Sequence, residues 1–127
     1  MPGASEGGLG HAEDLYAGSD WPQWVQVLVN HILEHLIDIP KVANAALELN
    51  VSLRTLQRDL RQQDLSFSVL VGDCRARMAA LQLIESNLPL SEVGFLSGYC
   101  DQAHFTREFG KRVGMPPQKY RTAFGLR

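Results

Sequence analysis

Two short stretches of the chain concentrate side chains that can contact DNA. In each stretch these residues lie on one face of a predicted helix, and together they are Arg54, Gln57, Arg58, Arg61, Gln102, Ala103, Thr106, Arg107 and Lys111. Arginine can pair with guanine through two hydrogen bonds, glutamine can do so with adenine, and threonine can contact the thymine methyl group. Such a face on one helix alone is more often a solvated surface, so the interpretation depends on the rest of the chain.

A second candidate for chemistry is the run from His31 to His35, which fits the H-x-x-E-H pattern of inverted zinc peptidases. Two histidines four residues apart on a helix can bind zinc, with Glu34 as the base. However, the match is short, and no clear segment follows that would supply a third ligand. We therefore expect both histidines at the rim of an amphipathic helix, and we predict no metal site.

Nothing else in the sequence is typical of an enzyme or of a membrane protein. Because it contains no Gly-rich phosphate loop, Ser/His/Asp set or activated cysteine, we predict neither catalysis nor a cofactor. Cys74 and Cys100 match no metal-ligand spacing and are expected to be buried free thiols. No stretch approaches the ~18 apolar residues of a membrane span, and the first residues lack the pattern of a secretory signal. The expectation is a soluble cytoplasmic protein with no membrane partner.

Apolar spacing predicts helices throughout the chain after residue 20. Apolar residues from Trp24 to Leu36 recur at three- and four-residue intervals, which indicates an amphipathic helix that Asp20 can cap. Serine or aspartate caps at positions 52, 66 and 101, and Pro40 and Pro89 before two short runs, mark where five further helices begin. A last short helix should hold Tyr120. No alternating apolar run indicates a strand, so the fold is predicted to be all-α with about seven helices.

An internal repeat organises these helices. At an offset of 48 residues Ala46 aligns with Gly94, and Asn50 aligns with Gly98. One extra residue then enters the second copy, and at an offset of 49 the aligned pairs are Leu56 with Phe105, Gln57 with Thr106, Arg58 with Arg107 and Leu60 with Phe109. A pattern repeated in this way predicts two copies of one structural unit.

Each copy has the features that a helix-turn-helix requires. Two helices that cross through a tight turn approach closely, so the first helix needs a small residue, which Ala46 and Gly94 provide. The turn needs a positive φ, which Gly98 adopts freely and Asn50 adopts better than most residues. The residues after the turn are expected to plug it into the core, and the apolar residues of the second helix are expected to face inward; these are Val51, Tyr99, Leu56, Leu60, Phe105 and Phe109.

Charge and helix length support a DNA partner. Residues 1–50 carry one base and seven acids, whereas residues 51–127 carry eleven bases and seven acids, so the net charges are −6 and +4. Such asymmetry is a mild indication that the basic part contacts nucleic acid. The helix predicted over 67–86 would be ~30 Å long at 1.5 Å per residue, close to the ~34 Å between successive major grooves. It could therefore hold two recognition helices in adjacent grooves.

The sequence resembles the DNA-binding domain of the AraC/XylS family of bacterial regulators from about Trp24 to Phe124. The most specific part is the segment 90–121, in which Gly98-Tyr99, Asp101, Phe105, Arg107, Phe109, Gly114, Pro117 and Tyr120-Arg121 fall on signature positions. Residues 51–58 resemble the first recognition helix, and Arg75 and Ala79 resemble positions of the linker helix.

The resemblance implies two helix-turn-helix subdomains, at about 40–62 and 89–113, joined by the linker helix at about 67–86. It also implies promoter binding, with base-reading roles for Arg54, Gln57, Arg58, Gln102, Ala103, Thr106 and Arg107. We add Arg61, Lys111 and Arg112 as phosphate contacts, whereas Arg75 would be structural. Gly110 and Gly94 depart from the usual residues and are expected to soften the second unit.

The domain prediction is therefore a flexible tail over 1–20 and a DNA-binding domain over 21–127, reading double-stranded DNA in the bacterial nucleoid. Nothing in the chain is long enough to be the effector domain that such regulators usually carry, so it would be a fragment or a stand-alone regulator. The alternative is an interaction module on the same fold that binds another regulator or RNA polymerase, with little DNA affinity. The sequence does not distinguish an activator from a repressor.

Overall fold

The computed structural model describes residues 21–125, which form seven helices and no strand. The helices are α1 (Gln23–Glu34), α2 (Val42–Glu48), α3 (Leu53–Gln62), α4 (Phe67–Glu85), α5 (Leu90–Leu96), α6 (Gln102–Val113) and α7 (Pro117–Phe124). The expected flexible tail and the Asp20 cap lie outside the described residues. Pro22 occupies the N-cap position of α1. No helix within 21–125 is both long enough and apolar enough to span a bilayer.

Three helices begin at the capping side chains that the sequence indicates. Ser52 accepts a hydrogen bond from the backbone N–H of Thr55 at 3.0 Å, and Ser66 accepts one from Val69 at 3.3 Å. Asp101 accepts one from the backbone N–H of His104 at 2.7 Å. Each cap satisfies a donor that the first turn of a helix leaves without an intrahelical partner. The starts of α3, α4 and α6 are therefore set locally.

The helices enclose two apolar cores that share α4. The first half of α4 packs with α1, α2 and α3. The buried residues of this first core include Leu28, Ile32, Leu56, Leu60 and Leu70. The second half packs with α5, α6 and α7. The buried residues of this second core include Leu83, Val93, Phe105, Phe109 and Tyr120. Since α4 contributes to both cores, it joins the two helix-turn-helix units as one continuous rod.

Both turns adopt the backbone conformation that the sequence predicts. The φ angle is 60° at Asn50 and 93° at Gly98, in the left-handed region. Gly94 is the small residue that the close approach of α5 and α6 requires, as the sequence predicts. A Cβ on Gly94 would lie 2.9 Å from Cδ2 of Phe105, so the missing side chain makes room for the large ring that fills this core.

The two units also touch outside α4. A Cβ on Gly98 would lie 2.6 Å from the backbone oxygen of Leu36, just beyond the end of α1. Nη1 of Arg112 lies 2.7 Å from Oδ1 of Asp73 in α4, and its guanidinium covers Gly72. Arg112 therefore ties α6 to α4. Its contact with phosphate stays a prediction.

The spacing of residues in the sequence does not predict the hydrogen bonds that Arg121 makes in the second unit. The Arg121 guanidinium donates to the backbone oxygens of Leu83, Ser86 and Leu88 at 3.2, 3.2 and 2.7 Å. Carbonyls at the end of a helix lack intrahelical donors, so Arg121 satisfies the end of α4 and fixes the loop after it.

Two expectations about burial need correction. Val51 is 36% exposed and does not plug its turn, whereas Tyr99 is 5% exposed and its ring stacks on Phe105 with centroids 4.9 Å apart. The first unit has no aromatic pair at this place, so its turn stays at the surface. Cys74 is buried as expected, but Cys100 is exposed because it precedes the cap of α6. Trp24 is half-buried against the first core.

Candidate nucleic-acid interface

The second helices of the two units, α3 and α6, combine a buried face with an exposed polar one. Leu56 and Leu60 are 1% exposed, and Phe105 and Phe109 are fully buried. Because these anchors are four residues apart in each helix, they fix its rotation about its own axis. The opposite face must therefore point to solvent.

All nine predicted contact residues lie on these exposed faces. The exposed residues are Arg54, Gln57, Arg58, Arg61, Gln102, Ala103, Thr106, Arg107 and Lys111. The structure brings the first four together on α3 and the other five together on α6.

Each of these two helices also carries an acidic residue beside an arginine, which the sequence analysis did not single out. Nη2 of Arg58 lies 3.2 Å from Oδ1 of Asp59, and Nε of Arg107 lies 3.6 Å from Oε2 of Glu108. Glu108 also lies 3.7 Å from Nζ of Lys111. The only signal in the sequence was that an acid directly follows the arginine in both copies of the repeat.

The histidine pair considered for zinc has other partners. Nδ1 of His31 lies 2.6 Å from Oε1 of Glu48, and Nδ1 of His35 contacts the backbone oxygen of His31 at 2.8 Å. The two rings stack with centroids 4.4 Å apart. His31 is buried rather than at the rim, and it ties α1 to α2. Within 21–125 there is no group of three or more side chains suited to hold a metal ion.

Comparison with known proteins adds to this geometry. A helix-turn-helix domain family matches residues 45–123, which is more than half of the chain. The chain belongs to the AraC/XylS-type helix-turn-helix family. As a member of this family it is a DNA-binding domain of the transcription-regulator type and not an enzyme. The predictions of family and of an all-α fold are confirmed.

Relatives of this AraC/XylS-type domain are longer proteins. The ornithine utilization regulator of Pseudomonas aeruginosa is 37% identical over 86 residues, which cover 68% of this chain and 25% of that regulator. The transcriptional activator AggR of Escherichia coli is 29% identical over 77 residues, which cover 61% of this chain and 29% of AggR. The chain thus spans about a quarter of the length of the curated relatives it matches.

Solved structures share the fold. A DNA-binding transcriptional dual regulator from Escherichia coli K-12 superimposes with a TM-score of 0.75 at 24% identity, over 81% of this chain and 99% of that one. The DNA-binding domain of AdpA, a global transcriptional factor solved in complex with a target DNA, gives a TM-score of 0.65 at 25% identity. The match covers 79% of this chain and 91% of that domain.

Proposed function

We propose that this AraC/XylS-type domain binds a two-part site in double-stranded DNA by inserting α3 and α6 into adjacent major grooves. The observation that carries the proposal is the presence of two equivalent helices with exposed polar faces, each on its own core, joined by the rigid α4. With 19 residues, α4 is ~28 Å long, which is comparable with the ~34 Å between successive major grooves. One chain would then read both parts of the site without dimerising.

The proposed roles follow from the chemistry of each side chain. Arg58 and Arg107 occupy equivalent positions and pair with guanine, because their guanidinium groups can donate two parallel hydrogen bonds to one base. Arg61 and Lys111, near the ends of their helices, contact phosphates. The remaining contacts to base edges are assigned to Arg54, Gln57, Gln102, Ala103 and Thr106. The DNA-binding domain is assigned to residues 21–127, in a protein of the bacterial cytoplasm and nucleoid.

Selection of bound sequences from a random duplex pool, followed by titration against salt, tests this proposal. A reader of DNA that makes several phosphate contacts must lose affinity steeply as salt rises. R58A and R107A should each weaken binding to the selected duplex by about 1–3 kcal/mol and change scrambled DNA much less. K119A is a matched control because Lys119 is exposed on α7, outside both recognition helices.

Two outcomes would argue against the proposal. Equal losses on selected and scrambled duplexes would show that the two arginines contact only the backbone of DNA. Absence of binding even at low salt would remove DNA reading altogether and would favour a protein partner.

One observation favours a second candidate, an interaction surface for another regulator or RNA polymerase. Leu47 is 75% exposed and Phe95 is 61% exposed, and the two residues align at the 48-residue offset of the repeat. Each unit thus exposes one large apolar side chain at the equivalent position of its first helix, and these two side chains define the candidate surface for a protein partner. If this surface serves an activator, as AggR is named, L47A and F95A should leave DNA affinity unchanged and lower transcription from the selected site. Unchanged transcription would remove this candidate.

A further inference from the structure

We propose that Asp59 and Glu108 sharpen the choice of DNA sequence by holding their neighbouring arginines back from phosphates. This inference rests on the proposed function, because it takes the faces of α3 and α6 to be the ones that meet DNA. Asp59 is the sole acid within α3, and Glu108 is the sole acid within α6. Each directly follows an arginine, and the two pairs align at the 49-residue offset of the repeat.

In both pairs the acid lies beside the guanidinium of the preceding arginine, but the contact of Asp59 with Arg58 is closer. Nε of Arg58 donates to Oδ1 of Asp59 at 3.2 Å, and Nε of Arg107 lies 3.6 Å from Oε2 of Glu108. The arginine side chains are 58% and 59% exposed, and the acids are 35% and 30% exposed. Because separate helices reproduce the same arrangement, it is a property of the unit and not an accident of one helix.

The position of the acid determines which ligand the arginine can take. In the first pair the carboxylate contacts both Nε and Nη2 of Arg58, and in the second pair it lies beside Nε of Arg107. Nη1 and the second N–H of Nη2 in Arg58, and both terminal nitrogens in Arg107, remain available to donate to another group. The O6 and N7 atoms of guanine can accept two parallel hydrogen bonds from such a group. The guanine edge is uncharged, so it approaches the carboxylate with little repulsion. A phosphate oxygen carries negative charge and is repelled at the same distance.

Each acid should therefore weaken contacts to phosphate more than contacts to guanine. Contacts to phosphate carry no sequence information, whereas contacts to base edges do. Loss of the acid is expected to strengthen binding to any DNA and to reduce the preference for the correct site. The effect should be larger at Glu108, because this acid also lies 3.7 Å from Nζ of Lys111 and screens two cations.

The test compares D59N/E108Q with the parent chain on the selected duplex and on a scrambled duplex of equal length. The amides keep an oxygen that can accept from Nε and remove only the charge. Exposed charge pairs contribute little individually, so we expect a gain of about fourfold to twentyfold on scrambled DNA for the double change. The gain on selected DNA should be smaller, so the ratio of the affinity for the selected duplex to the affinity for the scrambled duplex should fall.

The matched control is E34Q/D64N, which removes one glutamate and one aspartate charge from exposed positions outside α3 and α6. General loss of negative charge acts on both duplexes alike, so the control should keep the parent ratio. Circular dichroism confirms that both variants are folded. A ratio for D59N/E108Q equal to that of the control would overturn the inference and leave the proposed function intact. Failure of the parent chain to bind the selected duplex would instead overturn the proposed function, and the inference with it.

Discussion

Replacement of Gly98 by alanine tests the contact that joins the two helix-turn-helix units. The residue has a φ of 93°, and an added Cβ would lie 2.6 Å from the backbone oxygen of Leu36. Gly114 is a matched control because its φ is 96° and nothing lies within 4 Å of an added Cβ. Both changes place alanine in the left-handed region, but only G98A also creates a steric clash.

The magnitude follows from these two terms. A side chain in the left-handed region costs roughly 1–2 kcal/mol, so the free energy of unfolding should fall by about that amount in G114A. The clash in G98A involves a backbone oxygen that cannot rotate away, and shifts forced by overpacking typically cost about 1–3 kcal/mol. The total expected for G98A is therefore about 2–5 kcal/mol.

Urea denaturation followed by far-ultraviolet circular dichroism measures both values, with the slope of the transition as a check on two-state behaviour. At a temperature where both variants are folded, G98A should also bind the selected duplex more weakly than G114A, because the junction fixes the relative position of α3 and α6. Equal losses of stability in the two variants would show that the turn does not press on the end of α1, and the reasoning would fail.

Three further predictions concern the second unit. G110A should raise the free energy of unfolding by about 0.5–1 kcal/mol, measured by urea denaturation, because Gly110 is within α6 and nothing lies within 4 Å of an added Cβ; a loss of stability would contradict this. A double-mutant cycle of R112A and D73A should give a coupling of up to about 1 kcal/mol, since both side chains are about one third exposed, 30% and 35%; a coupling of zero would remove the tie between α6 and α4. Burial raises the pKa of the Tyr99 phenol in the folded state. The free energy of unfolding should therefore not depend on this group below pH ~10, the usual pKa of tyrosine, and should fall as the pH rises above that value. Y99F should weaken that fall, and an identical pH profile would contradict the assignment to Tyr99.

Much of the fold could be predicted because its determinants act over a few residues. Ser52, Ser66 and Asp101 cap their helices through bonds to residues three positions away, so the caps depend on local sequence alone. The positive φ values of Asn50 and Gly98 follow from residue type at the turn. The exposed faces of α3 and α6 follow from the spacing of their buried anchors. The DNA contacts assigned to those faces stay a prediction.

The interactions that escaped prediction join residues far apart in the chain. Arg112 was expected to meet phosphate, and its partner Asp73 lies 39 positions away. Residue type predicts a close helix approach at Gly94, but only the packed core shows that the ring of Phe105 occupies the space beside its missing Cβ. Val51 and Tyr99 are equivalent in the repeat, but their burial differs: Tyr99 stacks on Phe105, whereas the first unit has Leu56 at the position of that ring.

The amino-acid sequence by itself determined that the chain builds the same helical unit twice around a connecting helix, because caps, turns and apolar spacing are encoded within one or two helical turns. Only the tertiary structure decided how the units meet, which arginines hold the protein together and which face solvent. Arg112 and Arg121 are chemically identical to Arg58 and Arg107. They differ only in the neighbours that the folded chain brings to them, and no local pattern contains that information.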